Sequence, residues 1–229
     1  MKRPLRGDMP LAITLPLHYD LAIRTRQRRW RRIAIGILVL LGATLLLAGF
    51  WMPAKAELAQ HLLDRAWSDT AASGGGAAAR PWPWADTWPV ARLTLPGARK
   101  PLNVLAGASG RNLAFAPALM DGSAAPGAHG VTVIAGHRDT HFRALAELAV
   151  GDVFALERPD GAVYQYAVTG LDVVDSERTE IRLDADESIV VLVTCWPFEA
   201  VTVGGKWRYL VTAHLVSTAG PAPARTTSF

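Results

Sequence analysis

The stretch Ile189-Val190-Val191-Leu192-Val193-Thr194-Cys195-Trp196-Pro197-Phe198 holds the single cysteine of a 229-residue chain. Its β-branched and aliphatic residues, closed by a proline, read as a buried strand whose last residue emerges at an edge. A thiol at such an exit is held rigidly and can still be reached. The plain alternative is a small apolar side chain in a core, the usual place for a lone cysteine. The compartment and the partners supplied by the rest of the chain decide between them.

The compartment is written in the N-terminal third. The formal charge of +4 is uneven: residues 1–32 carry nine Lys and Arg against Asp8 and Asp20, while the remainder has 15 basic and 18 acidic residues. A basic patch confined to a tail argues against nucleic-acid binding, which needs its charge on the folded domain. Directly after the tail, residues 33–52 (IAIGILVLLGATLLLAGFWM) contain no charge. That length crosses a bilayer core of about 30 Å. Arg28, Arg29, Arg31 and Arg32 edge it on one side, and Lys55 and Glu57 nearly cancel on the other. The positive-inside bias keeps residues 1–32 in the cytoplasm and sends the rest across the membrane. A cleaved signal peptide has a shorter apolar region and a small-residue cleavage site, which Ala54-Lys55-Ala56 matches poorly. The expectation is an uncleaved, single-pass signal-anchor in the cytoplasmic (inner) membrane, with the remaining chain on the extracytoplasmic side. An unpaired cysteine exported to an oxidising compartment is either deeply buried or kept for its chemistry.

Residues 53–89 join anchor to domain. Leu58, Leu62, Leu63 and Trp67 predict an amphipathic helix over 54–67. Residues 68–79 (SDTAASGGGAAA) read as a flexible tether. Residues 80–89 (RPWPWADTWP) crowd three tryptophans and three prolines together, and their indoles are expected to pack on the domain surface. The catalytic domain is expected over 90–217, with a flexible tail over 218–229. Period-two alternation and turn signals place strands at 91–95, 102–106, 131–135, 152–157, 162–175, 188–194 and 207–217. Residues 112–119 predict a helical turn and 142–148 a short helix. Many short-spaced strands with brief helices argue for a closed or nearly closed barrel.

Three polar groups stand at comparable strand ends: His137 after one strand, Cys195 at the end of another, and Arg208 at the start of the last. Acyl transfer through a thioester uses all three. Cys195 attacks a peptide carbonyl, His137 protonates the leaving amine and deprotonates the incoming nucleophile, and Arg208 meets the oxyanion and the substrate backbone. No metal or cofactor is required. His137 and His141 are four apart, but the strand exit Gly136-His137-Arg138-Asp139 is not the helix on which a zinc pair would sit.

The pairing of Gly136-His137-Arg138-Asp139-Thr140 with Leu192-Val193-Thr194-Cys195, and an arginine at 208, resembles the sortases. Many sortases carry Thr-Leu-x-Thr-Cys before the nucleophile; here Val191 stands in the first threonine's place. The Trp/Pro segment, Gly136 to Phe142, and Thr194-Cys195-Trp196-Pro197-Phe198 are similar to the Gram-negative, marine proteobacterial class. The resemblance implies a mainly β fold, an eight-stranded sortase barrel preceded by one transmembrane helix. It also implies a cysteine transpeptidase with His137, Cys195 and Arg208 as catalytic residues. Thr194 and Trp196, which flank the cysteine, are the expected substrate-binding residues. The implied substrate is an exported protein with a C-terminal Leu-Pro-type sorting signal, and the acceptor amine is left open. The rivals are an exported Cys/His peptidase or L,D-transpeptidase-like enzyme, and a non-catalytic periplasmic binding or scaffold module with a buried thiol.

Overall fold

The computed structural model describes residues 17–200 and 204–220. The expectations for residues 1–16 of the basic tail and for 221–229 lie outside them. The chain divides into two compact units, Met1–Ala54 and Lys55–Phe229.

One helix, α1 (Leu17–Ala72), passes through both units and contains Pro53. In the first unit its apolar side chains, among them Ile37, Leu46 and Phe50, are exposed. The helix is long and apolar enough to cross a membrane.

In the second unit α1 is amphipathic, with Ala59, Leu63, Ala66 and Trp67 buried at the i, i+4, i+7, i+8 spacing of one helical face. The predicted stripe was shifted, because Leu58 is exposed and Leu62 only half-buried. Leu63 packs with Leu105, Ala116 and Ala118 of the barrel. Asp64 accepts from Asn103 Nδ2 at 2.8 Å and from Arg92 Nη2 at 3.1 Å.

Residues 68–79 do not form the free tether their composition predicts. Residues 68–72 are the last turn of α1. Gly74 and Gly75 then take positive φ, and the Gly75 N–H closes onto the Thr70 carbonyl at 3.0 Å. A left-handed glycine after a helix satisfies carbonyls that have no intrahelical partner. Buried Thr70 donates its hydroxyl to Ala66 and accepts from the Ala79 N–H. The compact unit therefore starts at Lys55, well before the expected boundary at Val90.

Eight strands follow: β1 (Pro89–Thr94), β2 (Leu102–Ala106), β3 (Ala118–Leu119), β4 (Gly130–Ala135), β5 (Val153–Glu157), β6 (Val163–Asp175), β7 (Ser188–Cys195) and β8 (Trp207–Ala219). They close into a barrel in the order β1-β2-β3-β4-β7-β8-β6-β5. A short helix α2 (Gly110–Leu113) and a 3₁₀ turn (Arg143–Glu147) are the other helical pieces among the described residues. The helical turn predicted over 112–119 stops at Leu113; Pro117 then disfavours helical backbone at Ala116, and the extended β3 follows at Ala118.

Period-two alternation splits the apolar residues of β4 and β7 between two clusters. Ile134, Val190 and Leu192 join Leu93, Phe154 and Tyr166 inside the barrel. Val131, Val133 and Val191 face the other way, packing with Leu210 under Ile181 and Ala185 of the β6–β7 connection. Both faces of these two strands are covered, which explains their near-continuous apolar sequence.

Candidate active site

β4 and β7 are parallel, in register from Gly130 opposite Ser188 to Ala135 opposite Val193. The two strands therefore end at the same rim of the barrel. The ladder continues one step, with the Gly136 N–H on the Val193 carbonyl at 3.0 Å. β8 runs antiparallel to β7 and sets Arg208 directly opposite Cys195. Alternation does the rest. Val193 and Cys195 on β7 and Leu210 and Arg208 on β8 occupy one face, which Ala135 at the end of β4 shares, and His137 follows two residues later at the same rim. Cys195 and Arg208 thus come from distant positions to one face, and the segment carrying His137 leaves the barrel at the same rim.

A groove of about 300 Å³ lies on that face, with Ala135, Val193 and Leu210 in its wall and Arg208 at its rim. Val174 and Ile181 form the opposite side. The β6–β7 connection is fastened at its start: Lys206 Nζ meets Asp175 Oδ2 at 2.8 Å, and the Ser176 N–H and hydroxyl both donate to the Lys206 carbonyl. The Lys206 hydrogen bond, more than its charge, holds the Asp175 carboxyl below the ordinary carboxylate range.

Cys195 is half-buried at the end of β7. Arg208 donates through Nη1 to the Gly205 carbonyl at 2.7 Å and to the Trp207 carbonyl at 2.9 Å. Thr194, expected at the substrate, is only 2% exposed and donates its hydroxyl to the Gly136 carbonyl at 2.8 Å. That bond ties the strand end carrying Cys195 to the one leading into His137. Trp196 is half-buried, stacked on Tyr209 with centroids 5.6 Å apart and edge-on to Phe198.

The loop carrying His137 is shaped by its neighbours. The Phe142 N–H donates to the His137 carbonyl at 3.0 Å, and the buried Phe142 ring lies over Gly136. A Cβ on Gly136 would stand 2.7 Å from that ring, so only glycine lets the chain pass. Imidazole ring His141 sits nearby and is half-buried. Burial holds its pKa below the ordinary histidine value, the charge of His137 adds to this, and a hydrogen bond to the Phe115 backbone opposes both.

Arg138 is the residue that sequence reasoning passed over. Only 5% exposed, it donates to the Pro197 carbonyl through Nη1 and to the Ala200 carbonyl through Nη2, both at 2.7 Å. Nε and Nη2 also meet the two oxygens of Asp139, at 2.8 and 3.2 Å. This guanidinium clasps the loop that follows Cys195 to the loop that carries His137. Its hydrogen bonds draw the Asp139 carboxyl below its ordinary range. An arginine next to the histidine was visible, but the carbonyls it serves are about 60 residues away in the chain, as the sequence separation of 59 and 62 records.

The other histidines stand apart from this rim. His61 pairs with Glu57 on α1, and His214 pairs with Glu187. Among the described residues no three of His, Cys, Asp and Glu are grouped to hold a metal ion.

Comparison with known proteins bears on this geometry. The sortase domain model matches residues 93–216. Sortase D of Bacillus subtilis (strain 168) is 36% identical over 87 residues, 38% of this chain and 43% of that protein. The match thus spans less than half the length of this curated relative. Among solved structures, sortase A from Corynebacterium diphtheriae superposes with a TM-score of 0.52 at 28% identity, covering 58% of this chain and 63% of the other. Sortase C-1 from Actinomyces oris gives 0.50 at 29% identity, covering 56% and 75%.

Proposed function

The chain belongs to the sortase family, and from that premise we propose that it is a membrane-anchored cysteine transpeptidase acting on a C-terminal sorting signal of an exported protein. The single observation that supports the reading is that Cys195 stands directly opposite Arg208, which lines an apolar groove, at the rim where the segment carrying His137 leaves β4. An extended Leu-Pro-type segment suits that groove, its apolar side chain against Val193, Leu210 and Ile181.

In this reading the Cys195 Sγ attacks the scissile carbonyl and the carbonyl oxygen takes the negative charge. Arg208 supplies donors to that oxygen or to the substrate backbone; Nε and Nη2 are not used by its bonds to Gly205 and Trp207. His137 gives a proton to the leaving amine as the C–N bond breaks, leaving an acyl thioester on Cys195. An incoming amine then attacks the thioester, loses its proton to His137 and expels the thiolate. The roles differ from the sequence expectation at Thr194, whose hydroxyl is committed to Gly136. We assign it the positioning of the two strand ends rather than a contact with substrate. Trp196, on Tyr209 beside the cysteine, keeps the substrate-side role.

The first unit's apolar helix supports anchoring, and the arginines before it support an extracytoplasmic active site. The Gram-negative class and the inner membrane rest on the motif resemblance and belong to this proposal as well.

The test is to incubate the protein with a Leu-Pro-containing signal peptide and look for an acyl adduct on Cys195 by mass spectrometry. The adduct should form on the wild type, be absent from Cys195→Ala, and be discharged by added amines. A thiol that a small alkylating reagent cannot reach in the folded protein would return the scaffold reading. Discharge by water alone, unaffected by any amine, would make the enzyme a peptidase.

A further inference from the structure

The second unit carries an apolar groove that the transpeptidase reaction does not use. Leu58 and Leu62 of α1 form one wall, Trp82 and Trp84 of the Trp/Pro segment the other, with Phe115 at its base and Lys55 at its edge. Its volume is about 300 Å³. The groove is built rather than incidental: Trp82 meets Phe115 edge-on at 5.0 Å, and Gln60 Nε2 donates to the Phe115 carbonyl at 2.8 Å. Yet Trp84 is 81% exposed and Leu58 is 58% exposed. Two large apolar side chains flanking an apolar groove are costly to leave in water.

We infer that this face rests in the headgroup layer of the bilayer, on the side to which the catalytic domain is exported. The inference rests on the membrane-anchored reading above. Three observations favour a lipid surface over a protein occupant. The first is tether length. Lys55 and Leu58 follow the last residue of the apolar run, Met52, by three and six positions in the same helix. Six residues of chain reach no more than about 22 Å even when fully extended, so the covalent chain alone keeps Leu58 near the end of the apolar run. The headgroup layer extends roughly 5–8 Å on each side of the core. Second, the exposed groups are the kind that a bilayer interface takes up: indole rings with a polar N–H, a leucine, and a lysine at the edge whose stem can lie along apolar surface. Third, the two prolines that flank Trp82, together with the bonds that hold Thr87 and Trp88 to Ala106, restrain the backbone of the segment before any partner arrives. Held in this way, the groove gives the catalytic domain a second hold on the membrane in addition to its span.

The full-length protein, reconstituted in phosphatidylcholine vesicles, tests this through lipids brominated near the headgroup end of their acyl chains. The fluorescence of Trp84 is isolated as the difference between wild type and Trp84→Phe, and that of Trp51, inside the apolar run, as the difference between wild type and Trp51→Phe. The inference expects the Trp84 signal to lose most of its intensity in brominated vesicles and to resist aqueous acrylamide. A Trp84 signal quenched by acrylamide and not by bromine overturns it, with the face in water. Protection from both quenchers also overturns it, because a protein, such as a second copy of the chain, then covers the groove. Trp51 separates the two levels of the argument. If Trp51 is also untouched by bromine, the anchoring reading has failed; if Trp51 is quenched while Trp84 is not, only the present inference has. Trp82→Phe, at a half-buried indole, provides a second difference signal should Trp84→Phe alter the segment.

Discussion

Thr194 and Val191 show how single side chains on β7 are divided between two jobs. Thr194 points inward and spends its hydroxyl on the Gly136 carbonyl. Val191 points outward into an apolar cluster with Val131, Val133 and Leu210. There a threonine hydroxyl would need a partner, and the valine that departs from the family's signature needs none. Thr194→Val keeps the shape and removes the bond, leaving a buried carbonyl unsatisfied. It should cost about 1–2 kcal/mol of stability in denaturant titration and reduce turnover beyond what the lost stability explains, because the two strand ends loosen together. Arg208→Lys retains charge without the planar fork, and should lose most of the rate of thioester formation while leaving the melting temperature nearly unchanged. Near-normal turnover in that variant would move the oxyanion role elsewhere. His141 gives a pH-dependent prediction. Its folded pKa lies below the ordinary 6.5, so as pH falls through 6.5 the unfolded chain takes up a proton before the folded one does. Stability is therefore highest above that point and declines below it until the folded value is passed. His141→Gln should flatten this part of the melting-temperature profile, and an unchanged slope would refute the assignment.

The elements around the rim are held by contacts that cross between them. The 137–142 turn depends on Phe142 lying over Gly136, and the 196–200 loop depends on Arg138. Gly136→Ala would push a methyl into the Phe142 ring, at a cost of about 1–3 kcal/mol if the ring must shift. The expected result is a protein that still reacts with a thiol alkylating reagent at Cys195 but turns over poorly, since the turn that carries His137 has moved. The Arg138 clasp has its own pH signature. Asp139 is held below its ordinary carboxylate value chiefly by the Arg138 hydrogen bond, so its contribution is present above about pH 4 and is lost as pH falls through the folded value. Asp139→Asn should remove that acid-side decline, measured by thermal unfolding between neutral and acidic buffers.

At the scale of the whole molecule, the second unit needs residues 55–72 of α1 as a structural element. Leu63 and Trp67 are buried, and Arg92 lies 5.1 Å over the Trp67 ring while reaching Asp64. Burying one such side chain contributes about 1.5–3 kcal/mol. A chain starting at Lys55 should therefore unfold at clearly higher denaturant than one starting at Arg80, although both contain the complete barrel. Equal midpoints would return residues 55–79 to the role of a tether.

Much of this was legible in the order of residues. Each strand that borders the site announced itself through alternation or through an apolar run closed by a turn, because burial of one or both faces constrains those positions locally. The apolar run and its arginines were equally plain, since both are read from composition and position alone. Cys195, His137 and Arg208 could be picked out as strand-end residues with the right chemistry. Their arrival at one rim could not be read from spacing: it follows from β4 and β7 running parallel and β8 antiparallel beside β7, pairings made between segments far apart in the chain. The same holds for Arg138, Thr194 and the glycine-rich turn after α1. Each is defined by a backbone carbonyl or N–H it serves, and the backbone carries the same groups at nearly every residue, so no pattern of side chains marks the partner until the chain has closed on itself.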